Sequence, residues 1–226
     1  VISTSEASVN TEQNLSPFNI FAKEYDAWYD SQEGKIFYEN EKKCIKKLLN
    51  NCERVLEVGV GTGRFAVLSD QAVGIDVAFA PLRIAKKRGI SVIQAKAEKL
   101  PFKDKSFQCV MFIISLSFIK DIVNALLEAK RILKEDGKMI ICDVFKESEL
   151  GKFYEEKKRK GHPFYSHATF YEFSEFKEII EKCGLSIKKI YGTLKKSPIE
   201  PSELESPVEV ENFEQLPGFV CIEVSK

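Results

Sequence analysis

The chain has 226 residues, 44% of them hydrophobic, and its 34 Lys+Arg balance 34 Asp+Glu to leave no formal net charge. That length suffices for one domain of ordinary size with a full core. No apolar run nears the roughly 20 residues that cross a bilayer, and the charge balance lacks the basic excess of a polyanion binder, so neither a membrane nor a nucleic-acid partner is expected.

The opening stretch, VISTSEASVNTEQN, is polar and has neither a basic n-region nor an apolar h-region. Residues 1–17 therefore read as a flexible tail without a secretion signal, and the expected compartment is the cytoplasm. From Lys35 to Leu49, apolar residues at Phe37, Cys44, Ile45, Leu48 and Leu49 predict a helix with one buried face. Strands are predicted at 54–58, 72–76, 91–95, 109–114 and 138–144. The intervening helices include 80–88, with Pro81 in its first turn, and 121–133, with Ile122, Leu126, Ala129 and Leu133 on one stripe. Asp136-Gly137 reads as the turn that ends the latter helix. Strand and helix alternating from 54 to 144 predict an α/β fold, a parallel sheet with helices on both faces.

Beyond Val144 the rhythm changes. Residues 147–160 predict a charged helix in which KKRK (157–160) is a solvated face. An aromatic-rich loop follows over 161–173, then a helix capped by Ser174 and closed by Gly184. Strands at 185–191 and 219–225 complete a count of seven, and the proline- and acid-rich segment 193–217 between them reads as an excursion. The six cysteines, at 44, 52, 109, 142, 183 and 221, include no C-x-x-C pair. They predict small buried thiols, with no disulfide framework and no metal site.

The stretch LEVGVGTGRFA (56–66) ends the first strand in three alternate glycines, Gly59, Gly61 and Gly63. A glycine turn that feeds a helix leaves N–H groups pointing outward and lets a ligand touch the backbone. The dinucleotide fingerprint needs a glycine at position 64, which is Arg64, and no P-loop Gly-Lys-Ser/Thr is present. Asp76, at the tip of the second strand, is placed to accept ribose hydroxyls. Glu57 is an acid inside an apolar strand, where a carboxylate needs a partner such as a ligand ammonium or nearby amides. The alternative is a tight turn with no ligand.

VLEVGVGTGR, GIDVAFAPLRIAKKR, AKAEKLPFKDKSFQCVMFIISLSFIKD and LLEAKRILKEDGKMIICDV follow one another over residues 54–145. In that order they resemble class I S-adenosylmethionine-dependent methyltransferases, above all the branch that includes quinone- and biotin-pathway enzymes. The resemblance implies a Rossmann-like, doubly wound, seven-stranded and mostly parallel sheet with an antiparallel last strand. It implies one domain over 18–226: a lid region at 18–50, a cofactor-binding core at 51–145 and an acceptor side at 146–226. It also implies S-adenosyl-L-methionine as cofactor, a small-molecule acceptor, and a monomer or homodimer. Carried over by position, Glu57, Gly59, Val60, Gly61 and Gly63 hold the methionine part, Asp76 the ribose and Val77 the adenine face. Ala97 and Glu98 form the adenine-edge loop, Ile113 and Ile114 lie beside the sulfonium, and Tyr25, Trp28 and Tyr29 close a lid.

The chain departs from that pattern at Lys96, where relatives place an Asp, at Gln108, where an acid is expected, and at Leu116-Ser117-Phe118, where relatives read Leu-His-His. Only eight residues separate Gly63 from Ala72, so the first helix is expected to be short. Methyl transfer needs alignment, exclusion of water and, for a protonated acceptor, a base. His162 and His167 are the candidates, the alternative being exposed loop histidines. The aromatics Phe164, Tyr165, Phe170, Tyr171 and Phe173 line an acceptor pocket or belong to the core. A nicotinamide-dependent oxidoreductase and a non-catalytic cofactor-binding protein are the other readings.

Overall fold

Buried strands that must satisfy every backbone group find their partners in one sheet. The computed structural model describes residues 16–226. Residues 1–15 of the expected tail lie outside the described residues, and from Pro17 the chain is helical. Two short helices, α1 (Pro17–Ile20) and α2 (Ala22–Trp28), lead into the long α3 (Gln32–Leu48), capped by Ser31, whose Oγ accepts from the Gly34 N–H at 3.0 Å. The core then runs β1 (Val55–Val58), β2 (Ala72–Asp76), α4 (Phe79–Lys87), β3 (Ser91–Gln94), β4 (Phe107–Ile113), α5 (Ile122–Ile132) and β5 (Leu133–Asp143). The C-terminal part is α6 (Glu149–Arg159), α7 (Phe173–Lys182), β6 (Ser186–Thr193), β7 (Val208–Glu209) and β8 (Phe219–Ser225).

The sheet order is β3-β2-β1-β4-β5-β8-β6-β7. β1 to β5 pair in parallel, and β8 runs antiparallel between β5 and β6. The chain order reverses between β1 and β4, the switch point where open α/β sheets bind ligands. Side chains alternate in face along each strand. Val55 joins a cluster with Cys44, Ile45 and Leu48 of α3, whereas Leu56 joins the opposite cluster with Leu126 of α5 and Ile180 of α7. Glu57 shares the face of Val55, the α3 side.

Several expectations change here. The sheet has eight strands rather than seven, because Val208–Glu209 inside the predicted excursion adds to the free edge of β6. Asp136-Gly137 is not a turn. It lies inside β5, where five residues, 134–138, answer two on β4 as the register shifts between Phe107 and Cys109. The helix expected after the glycine turn is a single 3-10 turn, Ala66–Leu68. Glu172, not Ser174, caps α7: its N–H donates to the Glu175 carboxylate at 3.3 Å, a reciprocal arrangement that starts the helix earlier.

Four cysteines also depart from expectation. Cys52 is joined to Cys109 and Cys142 to Cys221, while Cys44 and Cys183 are free and buried. Sequence spacing conceals both pairs, which the sheet creates. The loop before β1 adjoins β4, and Cys142 faces Cys221 in the β5–β8 register. No helix among the described residues is long and apolar enough to cross a membrane.

One close approach ties the sheet to the glycine turn. A Cβ on Gly74 of β2 would lie 2.6–2.7 Å from three side-chain carbons of Val60. Gly74→Ala should therefore overpack this contact and destabilise the protein by about 1–3 kcal/mol. Adding Val60→Ala should recover only part of the loss, because the Val60 Cβ, itself 2.7 Å from that position, remains; urea denaturation of the two single variants and the double variant checks this.

Candidate active site

The three glycines of the turn have different reasons to be glycine. All have positive φ, at 75°, 51° and 80°. A Cβ on Gly59 would sit 2.5 Å from Ser115 Cβ, and one on Gly63 would sit 3.0 Å from Ala85 Cβ. Those two are bare because protein packs against them. Gly61 has no atom within 4 Å of its would-be Cβ, so there the backbone opens outward.

Asp76 holds this turn to the end of β2. Its Oδ2 accepts from the Gly61 N–H at 2.9 Å and its Oδ1 from the Ala78 N–H at 2.8 Å. Burial pushes its pKa up, and the amides of Ala78, Gly61 and Val77 offset only part of that rise. Two bonds leave a carboxylate with further acceptor capacity. Beneath the turn, Glu57 is only 2% exposed and its Oε2 has no hydrogen-bond partner among the described residues. Burial, then the neighbouring Asp76 charge, drives its acid well above the usual carboxylate range. An orphaned buried oxygen costs about 1–3 kcal/mol, a penalty that a positively charged donor beside it would relieve.

The remaining predicted residues cluster around the same strand ends. Val77 is exposed, with its carbonyl accepting from Gln94 Nε2 at 2.8 Å. Ala97 is buried and Glu98 half-buried in the loop after β3, and Lys96 is exposed. Ile113 ends β4. Ile114 follows with φ 51°, a strained conformation for a β-branched residue, and donates its N–H to the Cys142 carbonyl at 2.7 Å. Ser117, in place of the first histidine of the family pattern, donates to the buried Asp143 carboxylate at 3.0 and 3.1 Å.

The N-terminal helices lie across these ends. Asn19 Oδ1 accepts from the Ala80 N–H at 2.8 Å at the start of α4, and Phe18 packs edge-on to Phe118 beyond β4 at 4.9 Å. Phe164 of the 161–173 loop meets Phe18, Phe21 and Tyr25 at 5.2, 6.1 and 5.6 Å. Tyr25 and the buried Tyr29 have hydroxyls 3.3 Å apart, whereas Trp28 is 38% exposed and leans on Phe37 and Tyr29. His162 stacks on Tyr165 at 4.6 Å, and burial, then Lys157, lowers its pKa. His167 is exposed.

A methyltransferase domain model matches residues 56–141, which hold the glycine turn, Asp76 and the Ile113–Ile114 tip. A SAM-dependent methyltransferase of Thermotoga maritima, described as a possible histamine N-methyltransferase, superposes with a TM-score of 0.85 at 37% identity, over 93% of this chain and 98% of its own. An uncharacterized protein of Methanocaldococcus jannaschii is 39% identical over 94% of this chain and all of its own length. A ubiquinone/menaquinone biosynthesis C-methyltransferase of Francisella philomiragia is 28% identical over 73% of each chain. The chain belongs to the S-adenosylmethionine-dependent methyltransferases. S-adenosyl-L-methionine is accordingly its cofactor, and the residues fit it. The orphaned Glu57 oxygen suits an ammonium, Gly61 leaves room against the backbone, and Asp76 retains acceptor capacity for hydroxyls.

Two features of this methyltransferase escaped the sequence reading. Arg64, seen there only as the residue that breaks the dinucleotide fingerprint, clasps the N-terminal helices. Its guanidinium donates to Asp26 Oδ1 at 2.9 Å and to both Asp30 carboxylate oxygens at 2.9 and 2.7 Å. Arg88 and Thr62 also reach Asp26, at 2.8 and 2.7 Å. Arg131 of α5 ties down the loop after β3 through the carbonyls of Leu100 and Phe102, at 3.1 and 2.8 Å, and through Glu128. The signal for the clasp is faint: a DxxxD spacing that runs from α2 into the turn after it, and an arginine 34 residues beyond the second acid.

Burial alone would raise Asp26, but bonds from Arg88, Arg64 and Thr62 outweigh it and hold the carboxyl below its usual range. A depressed folded-state pKa stabilises at neutral pH, and the contribution is lost as pH falls through the folded value. Asp26→Ala should cost about 2–3 kcal/mol at pH 7. The gap from the unaltered protein should stay flat down to about pH 5 and close below about pH 4, read by urea denaturation across that range.

Proposed function

We propose that this methyltransferase methylates a small-molecule acceptor enclosed between the N-terminal helices and the 161–173 loop. The observation that carries this reading is the closure itself. Phe18, Phe21 and Tyr25 on one side meet Phe164 on the other, and Asp26 is clasped to the glycine turn. An acceptor shut in this way is small and leaves water behind, which suits an in-line displacement. The names of the Thermotoga relative, a possible histamine N-methyltransferase, and of the Francisella relative, a ubiquinone/menaquinone biosynthesis C-methyltransferase, agree with it.

Bound here, the cofactor supplies an activated methyl group on a sulfonium, so the chain needs no covalent nucleophile. Glu57 receives the ammonium of the methionine part, for which its unpaired oxygen stands ready. Gly59, Val60, Gly61 and Gly63 carry the backbone against that tail, with Gly61 as the point of approach. Asp76 binds the ribose hydroxyls while keeping its bonds to Gly61 and Ala78. Val77 covers one adenine face, and Ala97 and Glu98 meet its edge. Ile113 and Ile114 form the apolar wall beside the reacting methyl, and Tyr25 and Tyr29 exclude water above it. Among the histidines, His162 is the better candidate for proton removal, since it stacks within the loop next to Tyr165.

The full chain should bind S-adenosylhomocysteine in calorimetry. Asp76→Ala and Glu57→Gln should each weaken binding roughly tenfold or more, as expected when a hydrogen-bonded charged contact is lost. With methyl-labelled cofactor, label should pass into the dialysable fraction of a cell extract. Transfer into its protein or RNA fraction instead would refute a small acceptor, and binding of NADH in place of the thioether would refute the cofactor roles.

A further inference from the structure

A second buried acid lies on the α3 side of the sheet, and the roles above do not use it. Glu41 projects from the middle of α3, only 5% exposed, and its Oε2 has no hydrogen-bond partner among the described residues. Its neighbour Asn40 shows what a structural polar residue on the same helix looks like. Asn40 Nδ2 donates to the Glu203 carbonyl at 3.0 Å, and its Oδ1 accepts from the Glu205 N–H at 2.7 Å. Glu41 anchors nothing of this kind.

Glu41 lies on the helix face of Phe37, Cys44 and Ile45, which packs in one buried cluster with Tyr25, Tyr29 and Tyr154. Its charge bears on Tyr25 of α2 and Tyr29 just past its end, Tyr154 of α6 and Tyr165 of the 161–173 loop, and on Cys44 one turn along α3. Tyr25 and Tyr29 meet edge to face at 5.6 Å, Tyr154 and Tyr165 stack at 4.3 Å, and His162 covers the outer face of that stack at 4.6 Å. Tyr25 is also within reach of the Glu57 charge, which connects this group to the cofactor site. The tyrosines come from both flaps that close over the strand ends. A carboxylate floor under aromatic walls is the chemistry that selects a cation: the anion balances the charge, and the ring faces and hydroxyl oxygens replace its water.

We propose that Glu41, with Tyr25, Tyr29, Tyr154 and Tyr165, forms the subsite that recognises a cationic amine on the acceptor. This rests on the small-molecule reading above and narrows it to one substrate class. Glu41 here is a recognition residue, and the atom methylated need not be the amine it holds. Burial raises its acid to about 8, so at pH 7 most molecules carry it protonated. Docking an ammonium against it ionises it, and the displaced proton leaves for solvent.

The test is calorimetry on the full chain saturated with S-adenosylhomocysteine, titrated with histamine, tyramine and phenethylamine, and with phenethyl alcohol as a neutral counterpart. Runs at pH 7 in two buffers of different ionisation enthalpy report the proton. At least one amine should bind with release of close to one proton per site, and the alcohol should bind far more weakly. Glu41→Gln should weaken the amine roughly thirtyfold or more, the loss expected when one partner of a buried charge pair is removed. It should also abolish the proton release and leave S-adenosylhomocysteine affinity unchanged. Glu41→Leu should do the same and unfold at an equal or higher denaturant concentration, since it removes an unpaired buried acid.

Amines that bind both variants as well as the unaltered protein would overturn the proposal. So would an alcohol that binds as well as its amine, or a loss of thioether affinity on Glu41→Gln, which would assign Glu41 to the cofactor. Normal thioether binding with no amine bound would overturn this inference alone. Absence of thioether binding would overturn both it and the cofactor roles it rests on.

Discussion

The carboxylate of Asp76, bonded at once to the Gly61 and Ala78 amides, is the contact around which the site is organised. A glycine turn with three positive-φ residues has many conformations open to it in isolation. Here the turn is held from both sides. The Gly59 and Val60 N–H groups donate to the Ile75 carbonyl at 2.8 and 2.9 Å, and Asp76 takes the next amide. The last two residues of β2 thus fix the loop after β1, aim the open backbone at Gly61 outward and leave Glu57 beneath without a partner.

Over this rigid floor the enclosure is made of separate pieces. The N-terminal helices are clasped by Asp26 to Thr62, Arg64 and Arg88, so the cover is bonded to the turn it protects. The 161–173 loop meets those helices through aromatic edges, which slide more readily than ion pairs break. Among the described residues, Glu57, Glu41 and Glu147 each bury a carboxylate oxygen without a partner, and only Glu147 has its other oxygen bonded, to the Phe173 N–H. Stability alone would favour apolar residues in place of Glu57 and Glu41, and functional sites are where such local penalties collect.

The parts of the site that were legible in the sequence are those whose chemistry is carried by neighbours along the chain. The glycine spacing, Asp76 at a strand tip and Glu57 inside an apolar run all sit on two successive parallel strands and the short connection between them, whose geometry is nearly fixed once the strands are recognised. Even there the reason was only partly legible. Gly59 and Gly63 are bare because Ser115 and Ala85 press on them, from stretches 56 and 22 residues away, and only Gly61 opens outward. Glu172 capping α7 in place of Ser174 is a nearer miss, decided by a carboxylate pair that propensity ranks below a hydroxyl.

The amino-acid sequence by itself determined the alternation of strand and helix, the parallel core, and the place of the glycine turn. Periodicity and turn chemistry act over a few residues and survive without any long-range contact. The tertiary structure alone decided which distant residues meet: Arg64 with Asp26, Cys142 with Cys221, and Tyr25 with Phe164. It also decided which acids are left unpaired. Burial and the loss of partners are properties of packed surroundings, and no spacing along the chain encodes them.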